Sequence, residues 1–398
     1  MCVNRLKPRQ VLRRTVFYIS GFDPRGPLHY HRLYSVEAAK QSAVNGHATT
    51  VSKRRNEGSL QSLWTVETGT TTTQIRFLRY EDIVRKQWPK NAADMYRGIV
   101  RYSWQFLRMG VFARIWRNSW PGFLAVIYPP VLLLAMFLAA LLLGLGAAAL
   151  LKPWIGSYAY LAIAAVLALP FAIYRLLEIG LNAFWLARSC TFLVDRALGN
   201  VPGIEDRCAA FADLVAKAVI SGESDEVLLV GHSVGTHLAV TVAARTLDKI
   251  GASHRFSLMT LGQAMAMTPD SDVARQFRAD LATLSGSEQV DWIDVTSAVD
   301  GACIALSDPL ALSGVSRADG SRAQPKLVSA RFNKLFSPQT YATIRRDFLR
   351  THFQYLMASE LPGDYDYFLI TAGDTTLAQR FAHLDSVTGF SRFRMGQT

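Results

Sequence analysis

The sequence is poor in cysteine and in charged residues, and both shortages limit the classes of protein to which it can belong. Its 398 residues include four cysteines, which are too few and too scattered for a disulfide scaffold. None stands in a Cys-x-x-Cys or Cys/His spacing typical of a zinc site, so we expect a reducing compartment and no metal. Only 19% of the residues are charged and 50% are hydrophobic. A sizeable core is therefore expected, and wholesale disorder is excluded.

Acidic residues are scarce in the first third of the chain. Residues 1–120 contain 21 Lys and Arg against 7 Asp and Glu, whereas residues 121–398 contain 22 against 24. A basic segment attracts either nucleic acid or an anionic membrane, because the long-range electrostatics are the same. No recognised nucleic-acid motif accompanies the charge, so we expect a lipid bilayer and no nucleic acid as partner.

Two long runs contain no charge at all. Phe123–Leu151 has 29 uncharged residues and Trp154–Tyr174 has 21, separated only by Lys152 and Pro153. Each run is long enough to cross a hydrocarbon core of roughly 30 Å. Prolines within such spans bend them without forbidding them. The pattern predicts a two-helix transmembrane hairpin over residues 121–177.

The charges around the runs predict an orientation. Arginines are frequent on both flanks, before the first run (Arg97, Arg101, Arg108, Arg114, Arg117) and after the second (Arg175, Arg188), whereas the turn offers Lys152 alone. By the positive-inside rule, both flanks and both termini are cytoplasmic, as in a protein with two spans in a bacterial inner membrane. The basic start of the chain has too short an apolar stretch for a secretory signal. Residues 95–120 mix arginines with aromatics, which predicts a juxtamembrane helix at the headgroup level or packed on the hairpin.

The remaining sequence alternates strands with helices. A β-branched and aromatic run at 15–20 and the apolar run at 226–230 both read as strands. Further strands are expected at 49–53, 60–67, 74–80, 256–261 and 289–295, and helices near 31–43, 204–218, 234–249 and 272–284. This alternation predicts a doubly wound, mostly parallel α/β sheet. The hairpin interrupts one domain, whose parts are residues 1–94 and 178–398.

Gly231-His232-Ser233-Val234-Gly235 follows the strand at 226–230 and precedes a helix. A strand that turns sharply into a helix holds a serine in a strained conformation, and the flanking glycines avoid collisions with neighbouring backbone. In this motif and context the sequence resembles the α/β-hydrolase superfamily, most nearly its lipase, esterase and thioesterase branches. The resemblance covers about 15–80 and 204–383, and the hairpin has no counterpart in the common fold.

The resemblance implies roles for residues of the motif and of an earlier loop. Ser233 would be the nucleophile, Gly231 and Gly235 the elbow glycines, and the Val234 N–H one donor of an oxyanion hole. The second donor would come from the loop after the strand at 15–20. There we favour the Phe22 N–H, with Gly21 as the alternative.

A nucleophilic serine also needs a histidine and a carboxylate, in the chain order Ser, acid, His. Asp300, just past the strand at 289–295, is favoured as the acid over Asp294 inside it. For the base, His352 follows a last strand at 326–332, whereas His383 follows a last strand at 365–372. We favour His352 because its aromatic neighbours suggest burial beside the sheet, and we expect the remaining histidines after Ser233, His237 and His254, to be structural.

The resulting expectation is a membrane-anchored serine hydrolase with a Ser-His-Asp triad and an acyl-enzyme intermediate. It would cleave an ester or thioester of a lipid or acyl substrate without a metal or an organic cofactor. An acyltransferase using the same triad is one alternative. The other is a non-catalytic interaction module, which a buried Ser233, or the absence of a histidine within hydrogen-bond reach of it, would favour.

Overall fold

The fold is built on one mixed β-sheet with helices on both faces. The computed structural model describes residues 10–181, 184–268, 272–316 and 324–387. Within these residues the strands are β1 (Arg13–Ile19), β2 (Thr49–Val51), β3 (Arg55–Glu57), β4 (Gln61–Thr68), β5 (Thr71–Leu78), β6 (Glu226–His232), β7 (Phe256–Leu261), β8 (Val290–Thr296) and β9 (Lys326–Ser329). The ends of the predicted domain, 1–9 and 388–398, lie outside the described residues.

The helices fall into three groups along the chain. Those before the apolar region are α1 (Pro27–Asn45), α2 (Glu81–Gln87), α3 (Ala92–Arg108) and α4 (Val111–Asn118). Those in and just after it are α5 (Trp120–Ile155), α6 (Leu161–Leu167), α7 (Leu169–Ala172), α8 (Tyr174–Leu181), α9 (Trp185–Ala197) and α10 (Ile204–Ser221). The remainder are α11 (Gly235–Leu247), α12 (Asp272–Gly286), α13 (Pro309–Leu312), α14 (Phe332–Leu335), α15 (Pro338–Ile344), α16 (Phe348–Phe353), α17 (Tyr367–Ala372) and α18 (Leu377–Arg380).

The strand order confirms an α/β fold with a mostly parallel sheet. The order is β2-β4-β5-β1-β6-β7-β8-β9, with β3 paired to β4. Strands β5, β1, β6, β7, β8 and β9 are parallel, and the antiparallel pairs lie at the β2 to β5 side. After β1 the chain adds β2 to β5 on one side of β1 and then β6 to β9 on its other side. The strand order therefore reverses beside β1, which makes this position a topological switch point. In open α/β sheets, ligands bind outside the carboxyl ends of the strands at such a point.

Side chains of the central strands alternate between two core layers. In β1, Phe17 and Ile19 belong to the layer that contains α9, α10 and α11, whereas Val16 and Tyr18 belong to the layer that contains α1 and α17. Strands buried on both faces in this way read as continuous apolar runs, because neither face meets water. This explains why β1 and β6 were recognisable in the sequence.

The long apolar region forms helices with bounds that differ from the predicted runs. Helix α5 continues through Lys152 and Pro153 and ends at Gly156, whose φ of 57° breaks the helix. A 3-10 turn follows, and α6 then packs against α5: a Cβ on Gly144 would lie 2.9 Å from the Ile163 Cα. Within the described residues, one helical stretch, Trp120–Glu178, is long and apolar enough to cross a membrane by length and composition.

The alternative strand at 365–372 is wrong. Residues 367–372 form helix α17, whose N-terminus is capped because the Asp366 carboxylate accepts hydrogen bonds from the N–H groups of Phe368 and Leu369. Such capping satisfies backbone donors that a strand would have paired with a neighbour. The last strand of the described chain is therefore β9, at the position of the other alternative.

A buried ion pair joins the beginning of the chain to its later parts. The Arg14 Nε donates to the Glu226 carboxylate at 2.7 Å, which links β1 to β6, and both side chains are buried. The same guanidinium donates to the carbonyl of Gly373 at 2.6 Å, while Glu226 also accepts from the Ser257 hydroxyl. Buried charges with this many partners hold the surrounding strands in place.

We predict that Arg14→Met lowers the free energy of unfolding by about 3–5 kcal/mol, because Glu226 would stay buried without its cation. Arg13→Met, at the exposed neighbouring position, should change it by less than about 0.5 kcal/mol. Thermal unfolding of the purified chain measures both. Equal melting temperatures for the two variants would contradict the prediction.

Candidate active site

The turn between β6 and α11 carries a strained serine. Ser233 has a φ of 56° although it is not glycine. Its N–H donates to the Leu261 carbonyl at 2.9 Å, and its own carbonyl accepts from the Thr236 N–H at 3.0 Å. Strain of this kind persists only where neighbouring structure enforces it, and it is concentrated at functional sites. The side chain is partly exposed at the carboxyl end of the sheet.

The two glycines of the turn are required by close backbone contacts. A Cβ on Gly231 would lie 2.7 Å from the Gly235 carbonyl oxygen, and a Cβ on Gly235 would collide with the carbonyl oxygen of Ser20 in the loop after β1. Any side chain would push α11 away from both strands. This contact explains the glycine spacing on either side of Ser233.

Asp300 and His352 form a buried acid–histidine pair. The His352 Nδ1 donates to the Asp300 carboxylate, at 2.9 Å from Oδ2 and 3.1 Å from Oδ1. Asp300 lies in the loop after β8 and His352 in α16, and both side chains are at most 1% exposed. Because Nδ1 carries the proton, Nε2 is the nitrogen with the free lone pair in the neutral ring. This Nε2 is buried without a hydrogen-bond partner in the described part of the chain.

The surroundings of Asp300 favour its charged form. Burial alone would raise its pKa, but the adjacent His352 and the hydrogen bonds from His352, Cys303 and the Ala302 N–H hold the pKa below its usual range. A carboxylate that stays charged orients the histidine ring and stabilises it when it takes up a proton. With Asp300 beside it, His352 can therefore act as a general base.

Ser233 and His352 lie on the wall of one cleft of about 250 Å³. Its apolar wall consists of Phe22, Trp88, Trp185, Leu349 and Phe353, and its charged residues are Asp23, Arg25, Glu178 and Arg188. No hydrogen bond joins Ser233 to His352 in the described structure, which leaves Nε2 unpaired. Catalytic hydrogen bonds are often long in ligand-free enzymes and shorten when substrate binds.

The loop after β1 passes directly against the serine. A Cβ on Gly21 would lie 3.1 Å from the Ser233 Cβ and 3.5 Å from its Oγ. The Tyr80 hydroxyl holds this loop by donating to the carbonyls of Ser20 and Gly21. Among the described residues, the N–H groups of Phe22 and Val234 have no acceptor. Two backbone donors beside a serine match the requirement of an oxyanion hole.

The alternative acid, Asp294, lies elsewhere in the structure. It is buried inside β8 and accepts a hydrogen bond from the Thr260 hydroxyl at 2.5 Å. Burial raises its pKa to about 7, against the weaker effect of this hydrogen bond. No histidine contacts its carboxylate in the described residues, so the structure pairs Asp300 with the histidine instead.

The other histidines that follow Ser233 in the chain lie away from the cleft. His383, the alternative base, is largely exposed, and its Nε2 is 3.0 Å from the Asp364 carboxylate. His237 is buried in α11, where it hydrogen-bonds the Thr268 hydroxyl at 2.7 Å and stacks on Phe277. His254 lies in the turn before β7, with its N–H bonded to the Gly251 carbonyl.

Three features in and around the site had no signal in the sequence. Asp23 accepts hydrogen bonds from Arg25 and Tyr30; burial would raise its pKa, but the Arg25 guanidinium keeps it below the usual range. Gly262, with φ 55°, lets the backbone pass Asp300, because a Cβ there would lie 3.2 Å from the carboxylate. His232, in the variable second position of the glycine–serine motif, contacts His352. Only the tertiary structure reveals these neighbours.

Neither the protein-family models, the curated proteins nor the solved structures contain a match to this chain. In the described residues, no group of three or more His, Cys, Asp or Glu side chains is arranged to hold a metal ion. The site therefore has to be interpreted from its own geometry.

We predict that Asp294→Asn stabilises the protein above pH 7. The pKa of Asp294 is about 7 in the folded state and about 3.9 in an unfolded chain, so its protonated form favours folding below pH 4 and this advantage is lost as the pH rises to 7. Asn cannot ionise, so its gain over Asp should grow between pH 4 and 7 and level off on the order of 4 kcal/mol.

Melting temperatures measured from pH 4 to 8 test this, with Asp291→Asn in the same strand as the control. An Asp294→Asn difference that is independent of pH, or one shared by the control, would contradict it.

Proposed function

We propose that this chain is a membrane-anchored serine hydrolase with an α/β-hydrolase fold, which cleaves an ester or thioester of a lipid or acyl substrate. The observation that carries the proposal is the meeting, on one cleft, of a strained serine after β6 and of His352, which a buried hydrogen bond joins to Asp300. These residues come from three separate parts of the chain. Nucleophile, base and orienting acid in this arrangement are the requirements for nucleophilic acyl transfer.

The proposed reaction has two halves. The Ser233 Oγ attacks the substrate carbonyl carbon while its proton passes to the His352 Nε2, and the Phe22 and Val234 N–H groups stabilise the oxyanion. When the tetrahedral intermediate collapses, the leaving alcohol or thiol takes the proton from His352. Water then attacks the acyl-enzyme, gives a proton to His352, and releases the carboxylic acid as Ser233 regains its proton. Asp300 stays charged throughout.

The position of the cleft supports an amphiphilic substrate. Glu178, Trp185 and Arg188 line the cleft, and they stand at the end of the long apolar stretch or just after it. An acyl group arriving from a bilayer would meet the aromatic wall, whereas the Arg188–Glu178 ion pair lies where a polar headgroup would stay. Anchoring the enzyme in the bilayer raises the local concentration of such a substrate.

The surface of the apolar region supports a membrane anchor with two spans. Helix α5 is exposed along most of its length, with large side chains such as Leu134, Leu143 and Leu150 outside. We infer that α5 crosses the bilayer, that the turn at 156–160 lies on the far side, and that α6 and α7 return. By the positive-inside rule, the flanking arginines support a cytoplasmic location for both sheet segments.

Helix α3 extends this apolar surface. Its inner face packs on α9 through Tyr102 and Phe106, yet its outer face exposes Val100, Trp104 and Leu107 in one stripe. The Tyr96 hydroxyl donates to the Pro170 carbonyl at 2.7 Å, so α3 is held against the apolar region. We propose that this stripe lies at the headgroup level, with its arginines on anionic lipid.

Labelling with a fluorophosphonate tests the catalytic proposal. We expect wild-type protein in proteoliposomes to react and Ser233→Ala not to react, because the probe requires an activated serine. Ser189→Ala is the matched control, since Ser189 lines the same cleft and should be dispensable. His352→Gln and Asp300→Asn should slow labelling by about 10³-fold or more, whereas His383→Gln and Asp294→Asn should not.

An unlabelled wild type in a folded preparation would contradict the proposal and favour the interaction module. Labelling that survives in Ser233→Ala would contradict the assignment of the nucleophile. If labelling depends on Ser233, His352 and Asp300, the acceptor of the acyl group is measured next. Formation of a free carboxylic acid indicates hydrolysis, and formation of a new ester with an added alcohol indicates acyl transfer.

Cysteine accessibility tests the membrane arrangement. Ser157, in the turn after α5, and Glu223, after α10, are both exposed. In a Cys2→Ser background, a membrane-impermeant maleimide should label Ser157→Cys in intact bacterial cells and Glu223→Cys only after lysis, since a double crossing puts the two positions on opposite sides. Cys190, Cys208 and Cys303 are buried and should stay silent. Labelling of both variants on the same side would rule out the two-span arrangement.

A further inference from the structure

His232 makes a hydrogen bond to the backbone of the candidate base. It is the last residue of β6, directly before Ser233, and its side chain is buried. Its Nε2 lies 3.0 Å from the main-chain oxygen of His352, 120 positions along the chain. A carbonyl oxygen only accepts, so the His232 Nε2 carries the proton and donates. The other ring nitrogen, Nδ1, has no partner among the described residues.

The His232 ring also packs against the segment that holds the base. Its centroid is 4.9 Å from that of His352, 5.4 Å from Phe353 and 6.2 Å from Tyr355. One side chain thus connects the strand that leads into the serine with the helix that carries the histidine. Asp300 holds the His352 ring at Nδ1, and His232 holds its main chain.

His232 itself is unsuited to accept a proton. Burial, and after it the nearby His352 ring, lower its pKa to about 3, against opposing effects of the bond to the His352 carbonyl and of the Asp300 and Asp23 carboxylates. The ring therefore stays neutral near pH 7, with its single proton engaged by the His352 carbonyl. His232 is therefore not a candidate for the base, whereas the neighbouring His352 is.

We propose that His232 is a positioning residue whose N–H sets the distance between the His352 Nε2 and the Ser233 Oγ. The inference rests on the proposed function, because it concerns the same serine and histidine. Its physical basis is the precision of the site: a misplacement of about 1 Å between reacting groups costs on the order of 10²-fold in rate. The Asp300 bond holds the His352 ring, whereas the His232 bond holds the main chain of α16 at this point.

Time courses of fluorophosphonate labelling test the inference. His232→Phe keeps an aromatic ring but loses the donor, whereas His232→Gln keeps an N–H donor at a similar reach. We expect the rate constant of His232→Phe to fall by about 10- to 100-fold and that of His232→Gln to stay within about threefold of wild type, in line with a retained hydrogen bond. The control is His237→Phe, a buried histidine in α11 that does not line the cleft.

The time course separates positioning from folding. Its final amplitude measures the fraction of folded protein, and its rate constant measures the reactivity of each folded molecule. We expect His237→Phe to lower at most the amplitude, and His232→Phe to lower the rate constant. If His232→Phe yields no folded protein, His232→Met, which also lacks the donor, takes its place in the comparison with His232→Gln.

Two results would overturn the inference while leaving the proposed function intact. One is a wild-type rate constant for His232→Phe or His232→Met. The other is an equal loss of rate in the Gln and Phe variants, since a packing role alone would not distinguish them. If wild-type protein in the same experiment does not react at all, the proposed function fails and takes this inference with it.

Discussion

The pairing of β1 with β6 is the constraint on which the rest of the structure depends. The two strands are parallel over six residue pairs, although some 200 residues and the whole apolar region separate them in the chain. At one end the buried Arg14–Glu226 ion pair joins them, and at the other Gly235 lies against the Ser20 carbonyl. Because of this pairing, the loop that contains Gly21 and Phe22 meets Ser233.

The same pairing explains how an apolar insertion is tolerated. The chain leaves the sheet after β5 and returns at β6, and both strands flank β1. The insertion therefore lies between two strands that both pair with β1, so the sheet can form around it. Its last helices then contribute Trp185 and Arg188 to the cleft. The candidate site combines residues of the sheet with residues that follow the apolar region, which relates the proposed chemistry to the proposed membrane anchor.

Residues of the same type behave differently in and around the cleft, because their buried polar partners differ. Asp300 is held charged by the histidine beside it, whereas Asp294, six residues earlier in the chain, is surrounded by apolar strands and favours its neutral form. The two adjacent histidines differ in the same manner. The His232 Nε2 donates its proton to a backbone carbonyl, whereas the His352 Nδ1 donates to a carboxylate and leaves Nε2 without a partner among the described residues. Identical side chains thus differ in charge or in hydrogen bonding because their partners differ.

Local patterns in the sequence determined the features that depend on neighbouring residues. The apolar run of β6, the glycines around Ser233 and the charge-free region were visible there, because burial on both faces, a sharp turn and a long apolar helix each depend on residues that are neighbours in the chain. The choice of Asp300 and His352 was favoured by the sequence but not settled by it. Only the tertiary structure joined these two residues, 52 positions apart, and it also turned residues 367–372 into a capped helix and brought His232 against His352. Those outcomes depend on which strands pair and how helices pack on them, and such long-range contacts leave no periodic signal in the chain.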